Sequence, residues 1–521
     1  MKQRLRISKK GLLILASLSI LLFSLTLSIF SKQITLVDDA WITFRVSDNL
    51  LQHGELTYNP GDRVEGISNL LWAVILALFG RVIPLELPIL AVSLSLFLIA
   101  CSVFRLWKIG VFLGFHPVIS TIPALFLLFT PDFIGTATNG LEMPLCLFLM
   151  LETVWFFLKG KYPLVFICLG LLFLTRIETV GIALIFLLVM LVTMQPSRKK
   201  SFIVGTAIYL GMLISVTIAR LLYFHDFIPN SVRAKQVGLS SGILLSGARY
   251  VMDFSNQNPV FIVLFFAALL VILHKGFQNK LKQGIQSLRE EKYLQLLLIS
   301  LLSILFSFVV ILKNGGDWMP NYRLIILYSA FYACLLFPLL KNGTLSVILS
   351  LAILAGPLIH MSDLALARLR HEQDFALVDY SAGMNFWAEA SGKLSSEVTP
   401  EDVVSAEAIG YIGYQLAGTP IHDPLGLTDP HIARSGVPAI PFGKTDIEYT
   451  YSVVKPTVMI WHYLGHLNDL DLGKVDQEYK TFCFENCESW NAHVVMIHES
   501  RLKDLGDPFA NWQEIKLSEL P

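Results

Sequence analysis

The feature that most constrains this chain is a series of leucine-rich apolar runs, each roughly 15 to 20 residues long, recurring from Gly11 to about His360. A helix that crosses a bilayer needs about 20 mostly apolar residues. Composition agrees: 54% of the 521 residues are hydrophobic and 15% are charged, against about 25% charged in typical soluble domains. After Met361, charged residues, Pro and Gly return at ordinary density and no run is long enough to span. The chain therefore divides into residues 1–362, a membrane part whose first outer loop is 31–69, and residues 363–521, a separate soluble domain. Forty basic and forty acidic residues cancel, so nucleic acid is not an expected partner.

Lys2, Arg4, Arg6, Lys9 and Lys10 precede the apolar stretch Gly11 to Phe30. That stretch exceeds the roughly 7 to 15 residues of a signal-peptide core, and no small-x-small cleavage site follows, so it reads as an anchor. With the N-terminal tail cytoplasmic, the clusters Arg105 to Lys108, Lys159 to Lys161, Arg198 to Lys200, Lys275 to Lys292 and Lys341 belong on the cytoplasmic side too. Counting seven apolar candidates before Arg198 would put that cluster outside. Treating Leu70 to Ile83, short and ending in Gly80-Arg81, as a half-helix on the outer side restores parity. The eleven expected spans are then 11–30, 88–104, 118–130, 143–158, 162–175, 180–195, 202–220, 256–273, 295–313, 323–340 and 344–362. The C-terminal domain falls outside the cell membrane, and so do the polar segments 38–69, 136–142, 175–178, 225–235 and 314–323. A transporter would set ionisable residues along the middle of its spans and show a repeated half. Neither pattern is evident, which leaves a lipid-linked sugar carrier or flippase as the alternative reading.

The first polar segment opens with Asp38-Asp39 and continues as Ala40 to Gly54. The pattern predicts an amphipathic helix along the membrane surface, with Trp41, Phe44 and Leu51 on one side and Gly54 as its stop. Asp is a preferred N-cap residue, so one acid can cap while the other acts. Adjacent side chains on extended backbone point to opposite faces, so at most one of the pair reaches a given substrate. Tyr58-Asn59-Pro60-Gly61-Asp62 is turn chemistry, and its plain reading is a tight loop.

From Asp38 through Trp72 the chain shows an acid pair, His53-Gly54, Tyr58-Asn59-Pro60-Gly61, Arg63-Val64-Glu65-Gly66 and Asn69-Leu70-Leu71-Trp72. This run resembles the first outer loop of bacterial terminal β-1,2-arabinofuranosyltransferases and their relatives, C-type membrane glycosyltransferases that use polyprenyl-phosphate sugars. Further segments match in the same order: Gly140-Leu141-Glu142-Met143-Pro144-Leu145, Leu174-Thr175-Arg176-Ile177-Glu178, the stretch around Pro229-Asn230, Gly315-Gly316-Asp317-Trp318-Met319 with Arg323, and Gly426-Leu427-Thr428-Asp429. Met143 stands where the family has Thr and Ile177 where it has Pro. The resemblance implies a polytopic α-helical membrane protein of the C-type glycosyltransferase fold, with about eleven spans and an extracytoplasmic C-terminal α/β domain. It places the chain in the bacterial inner membrane, with a polyprenyl-phosphate sugar donor and a glycan or glycolipid acceptor as partners.

A sugar phosphate leaves without a proton donor, so the chemistry needs a carboxylate for the acceptor hydroxyl and cations for the phosphate. Asp38 or Asp39 is the expected carboxylate, with Asp38 preferred because Asp39 sits closer to the helix start. Arg176 is the first choice for the phosphate because it interrupts an apolar stretch; Arg323, Lys235 and Arg45 follow. The plain reading of each is snorkelling or an ion pair with Glu178 or Asp317. Substrate contacts are expected from His53, Tyr58, Asn59, Arg63, Glu65, Asn69, Glu142, Glu178, Asn230, Asp317, Asp423 and Asp429. No cofactor is expected. A divalent cation would suit an acid pair, but no nucleoside diphosphate is implied and the site has no Asp-x-Asp, so no metal is expected.

In the C-terminal domain Val403 to Ala406 reads as a strand, Ala408 to Leu416 as a helix and Thr419 to His422 as a second strand, an α/β core. Glycan or acceptor binding is the expected role; scaffolding is the plain one. Cys101, Cys146, Cys168 and Cys334 fall in or near spans, whereas Cys483 and Cys487 stand four residues apart in the outer domain and suit a disulfide in an oxidising compartment.

Overall fold

The computed structural model describes residues 36–236, 238, 240–278, 290–317, 319, 321–341, 378–439, 443–505 and 508–520. The expected spans 11–30 and 344–362, and the boundary between 362 and 363, lie outside the described residues.

Among the described residues the apolar runs become helices. In chain order they are α1 (Asp38–Gln52), α2 (Leu70–Gly80), α3 (Leu87–Leu113), α4 (Ile122–Leu128), α5 (Pro131–Ala137), α6 (Met143–Lys159), α7 (Tyr162–Thr175), α8 (Val180–Thr193) and α9 (Lys199–Tyr223). The short α10 (Asn230–Ala234) leads to α11 (Ser241–Gln257), α12 (Pro259–Gln278), α13 (Lys292–Asn314), α14 (Arg323–Ile326) and α15 (Ser329–Leu340). Pro sits in the first turn of each helix from α3 to α7, where its missing N–H has no partner to lose.

By length and composition α3, Pro196–Tyr223 and α13 can each cross a membrane. Helices α11 and α12 pass the same test only as a pair bent by 100°. The expected straight span 256–273 is therefore a broken one, for a local reason: Pro259 disfavours helical backbone at the residue before it, and Asn258 Nδ2 donates to Asp132 Oδ2 at 2.7 Å. The expected half-helix is α2, which is 11 residues long. The stretch expected as 118–130 divides into a 3-10 turn and α4, and 323–340 divides into α14 and α15.

Charged side chains sort the bundle into two ends. Members of all five basic clusters meet at one of them. Lys159 Nζ lies 4.2 Å and Lys292 Nζ 4.3 Å from the Phe112 ring centroid. Arg105 sits over Trp155, Arg198 Nη1 donates to Gly160 O, and Lys341 covers Tyr293, whose hydroxyl donates to Leu113 O. The motif segments gather at the other end.

There the C-terminal part of the chain adds α16 (Val378–Leu394) and a six-stranded sheet of order β2-β1-β5-β7-β6-β8. Strand β1 (Val404–Ala406) runs parallel to β2 (Ile421–His422) and β5 (Val458–Trp461). The strands β7 (His493–His498), β6 (Tyr479–Glu485) and β8 (Gln513–Ile515) continue it antiparallel. β3 (Val437–Ala439) and β4 (Gly443–Thr445) form a separate ribbon. Helix α17 (Ile409–Gln415) follows β1, and α18 (Pro430–Ser435) follows β2. Cys483 and Cys487 form a disulfide.

Helix α1 departs from its expected place on a membrane surface. Its Ala40, Trp41 and Phe44 belong to the buried core of the bundle. Ile42 and Val46, on another face, belong to the core that also contains Phe386, Val404, Ile409 and Val458 of the C-terminal part. Both faces are covered by protein, so the helix is an internal layer.

Candidate active site

A cavity of about 60 Å³ opens beside α1, lined by Asp39, Thr43, Asn69, Glu142, Arg176, Ser231, Lys235, Arg323 and Leu427 among others. Its charges interlock. Asp39 Oδ2 lies 3.5 Å from Arg323 Nη1 and 3.8 Å from Lys235 Nζ. Arg323 Nε also pairs with Asp317 Oδ2 at 2.5 Å. Arg176 is clamped between Glu142 Oε1 at 2.7 Å and Glu178 Oε1 at 2.5 Å. The second Glu142 oxygen accepts from Asn69 Nδ2 at 2.8 Å, and Asn69 in turn bonds the Thr43 hydroxyl. Burial works to raise the Asp39 carboxyl, but Lys235 and Arg323 overcome it and hold the group below the ordinary carboxylate range. It is therefore an anion at neutral pH.

The cations differ in freedom. Arg176, first in the sequence ranking, already faces two carboxylates. Lys235 is the most loosely paired of the three, with 49% of its side chain exposed.

Asp38, the preferred member of the acid pair, does not line this cavity. Its Oδ2 accepts from Gly410 N at 3.0 Å and its Oδ1 from Tyr411 N at 2.8 Å, at the N-terminal end of α17. Neither acid caps α1: the cap position is Val37, with no side-chain bond, and the helix begins at Asp38 itself. Arg45, two turns along α1, meets the opposite end of α17. It donates to Gly413 O, to Leu416 O at 3.4 Å and to Thr419 O at 2.9 Å. An acid at the N-terminus of α17 and a base at its C-terminus oppose the helix dipole at both ends. The assignment of Arg45 to phosphate is corrected accordingly: the residue is 4% exposed and its donors go to backbone carbonyls and the Asn59 side chain.

Several other expected substrate contacts are also structural joints. Glu65 takes a bidentate pair with Arg220, at 2.8 Å for Nε to Oε2 and 2.9 Å for Nη2 to Oε1. Tyr58 Oη donates to Ile409 O at 2.6 Å. Asn59 pairs with the Ile421 backbone through both amide groups, at 2.9 and 3.1 Å. Asn230 Nδ2 reaches the carbonyls of Gly426, Leu427 and Asp429. Asp423 folds the loop after β2 by accepting from Leu425 N and Thr428 N, and Asp429 caps α18 through Ile432 N. His53 and Arg63 are exposed, at the end of α1 and in the following loop, where Arg63 sits over the Tyr223 ring.

Sequence reasoning passed over Thr43, Ser231, Leu427 and Arg220. Arg220 carried a signal, a charge near the end of an apolar run, and Leu427 lies inside the Gly426 to Asp429 motif; Thr43 and Ser231 are neutral residues without a pattern of their own. Among the described residues no group of three or more His, Cys, Asp or Glu side chains is placed to hold a metal ion.

Residues 376–515 match a family model described as a domain of unknown function (DUF8728). No curated protein sequence matches the chain. Two solved structures of ArnT from Cupriavidus metallidurans are similar over nearly the whole length. The apo structure gives a TM-score of 0.53 at 12% identity, over 94% of this chain and 99% of that one. The structure bound to undecaprenyl phosphate gives 0.54 at 13% identity, over 95% and 99%. At that level of identity the likeness is one of architecture, and this chain has the fold of ArnT.

Proposed function

We propose that this chain is a membrane glycosyltransferase that moves a sugar from a polyprenyl-phosphate donor to an envelope glycan or glycolipid, on the extracytoplasmic face of the bacterial inner membrane. The observation that carries the reading is the anionic Asp39 facing Lys235 and Arg323 in one cavity. The shared fold supports it, since one ArnT structure holds undecaprenyl phosphate. So does the gathering of the basic clusters at the end of the bundle remote from the cavity, the pattern of a cytoplasmic face.

In the reaction the acceptor oxygen attacks the anomeric carbon, and the bond from that carbon to the phosphate oxygen breaks with its electron pair. The phosphate gains negative charge, which Lys235 and Arg323 neutralise. Asp39 receives the acceptor's proton, and its charge steadies the positive character of the sugar ring. Arg176 supports the site as a partner of Glu142 and Glu178. The residue resemblance suggests arabinofuranose as the sugar; mannose is the alternative in a sister enzyme. The C-terminal part serves glycan or acceptor binding.

The test is transfer by the purified protein from undecaprenyl-phosphate arabinofuranose or mannose, with donor binding measured separately. Asp39→Asn should lower turnover by about a hundredfold or more while donor binding and folding persist. Near wild-type turnover in that variant rejects the assignment. Movement of the lipid across vesicles without sugar transfer would make the protein a carrier.

A further inference from the structure

One buried polar group in the cavity wall is unaccounted for by this chemistry. Ser231 lines the cavity on α10, is 6% exposed, and its hydroxyl is buried with no hydrogen-bond partner in the protein. Buried hydroxyls are nearly always paired, and leaving one bare costs free energy. Of the other polar side chains in the wall, Thr43 is engaged with Asn69, Asn69 with Glu142, and Lys235 and Arg323 with Asp39.

The surroundings of Ser231 are held in place. Asn230, the residue before it, donates its backbone N–H to Glu65 O and its side chain to three carbonyls of the loop Asp423–Asp429. That loop brings Leu427 into the cavity wall. Gly66 leaves the room that the Thr428 side chain fills, for a Cβ there would stand 2.5 Å from its methyl group. Three segments distant in sequence thus form one rigid wall around a bare hydroxyl. Lys235 lies four residues beyond Ser231, and four residues of helix rise about 6 Å, comparable to the reach from a phosphate to the hydroxyls of the sugar it carries.

We propose that Ser231, backed by Leu427 of the C-terminal part, is a binding residue for a hydroxyl of the donor sugar. The inference rests on the proposed function and makes the C-terminal loop part of the donor site. The hydroxyl can donate to or accept from the sugar, and the apolar Leu427 side chain closes the wall beside it.

The experiment uses the full chain in lipid nanodiscs with undecaprenyl phosphate, undecaprenyl-phosphate arabinofuranose and undecaprenyl-phosphate mannose as probes. Wild type should bind a sugar-bearing lipid more tightly than the bare one. Ser231→Ala should lose about threefold to tenfold of the sugar-bearing affinity, the scale of one neutral hydrogen bond, and none of the bare-lipid affinity. Ser231→Thr, which keeps the hydroxyl, should restore most of the loss. Unchanged affinity for the sugar-bearing lipids, or equal loss for bare and sugar-bearing lipid, would overturn the assignment. Failure of wild type to bind any of the three lipids would overturn the proposed function itself, and this inference with it.

Discussion

Asp38 and Asp39 have the same side chain and adjacent positions, and their surroundings give them different work. One step along a helix turns the side chain by about 100°, enough to send Asp38 to the backbone of α17 and Asp39 into the cavity. The pair itself was legible as a candidate site. Its division of labour was not, because the sequence reading had no way to place α17 beside α1. Asp38→Asn should therefore behave unlike Asp39→Asn. Asn keeps one acceptor oxygen but replaces the other with a donor, so one of the two backbone bonds at the start of α17 is lost, a loss of about 0.5–1.5 kcal/mol for a bond whose acceptor is only partly charged. Amide exchange at Gly410 and Tyr411 should quicken by about twofold to tenfold, while turnover stays within about tenfold of wild type. Hydrogen exchange read by mass spectrometry, beside the transfer assay, checks both; a loss of turnover equal to that of Asp39→Asn would count against the separation.

At the level of elements, long apolar runs were read correctly as helices because the apolar signal extends over many residues. Breaks within runs were harder. Pro259 lay inside an expected span, yet a proline kinks or ends a helix depending on what receives the freed backbone and neighbouring side chains, here the Asn258 to Asp132 bond. The joint between Glu65 and Arg220 shows the same dependence on partners, since the two residues lie 155 apart and each side chain is 3% exposed. Taking one charge from a buried pair costs about 3–5 kcal/mol, whereas replacing both by apolar groups is often neutral. Glu65→Gln should accordingly lower the unfolding midpoint sharply, and Glu65→Leu with Arg220→Met should recover most of it. Absence of recovery would mean that the charges serve substrate and not only the joint.

For the whole molecule, composition marks a change of texture near Met361, but the packing crosses it. Ile42, Val46, Tyr58, Ile67 and Ala73 share one core with Phe386, Val404, Ile409 and Val458. The junction also carries titratable groups. Burial pushes Asp38 up to about 7 despite its two backbone donors. Burial also opposes ionisation of Glu407, yet His462 and His466 pull it down to about 2. His462 is raised, the charges of Glu407 and Asp38 outweighing burial. His493, whose ring lies 6.4 Å from that of His462, is lowered by burial. The signs follow from which state binds more protons. Raised His462 stabilises the packed state below its ordinary 6.5 and loses this as pH climbs through its folded value. Raised Asp38 costs stability progressively from about 4 to 7. Lowered Glu407 stabilises above about 4.5 and loses this as pH falls toward 2. Packing of the C-terminal part should be firmest near pH 4 to 5 and weaken toward 8, read as faster exchange of residues 404–416 across a pH series corrected for intrinsic rates. In Asp38→Asn the slope between pH 5 and 7 should flatten.

Apolar runs, charge placement and turn residues by themselves determined the helical bundle, the mixed α/β composition of the C-terminal part and the short set of polar segments from which a site could be built. These are properties of local patterning, because burial of a helix face or start of a helix depends on residues within a few turns. Tertiary structure alone decided which members of that set share a cavity. Arg45, Glu65, Asn59 and Asn230 are as polar as Asp39, Lys235 and Arg323, and nothing in their neighbours in sequence tells them apart. What separates them is whether the partners brought by distant segments leave the charged group on the wall of the cavity or seal it into the packing, and that is settled only when α1, α10, α14 and the loop after β2 close around one point.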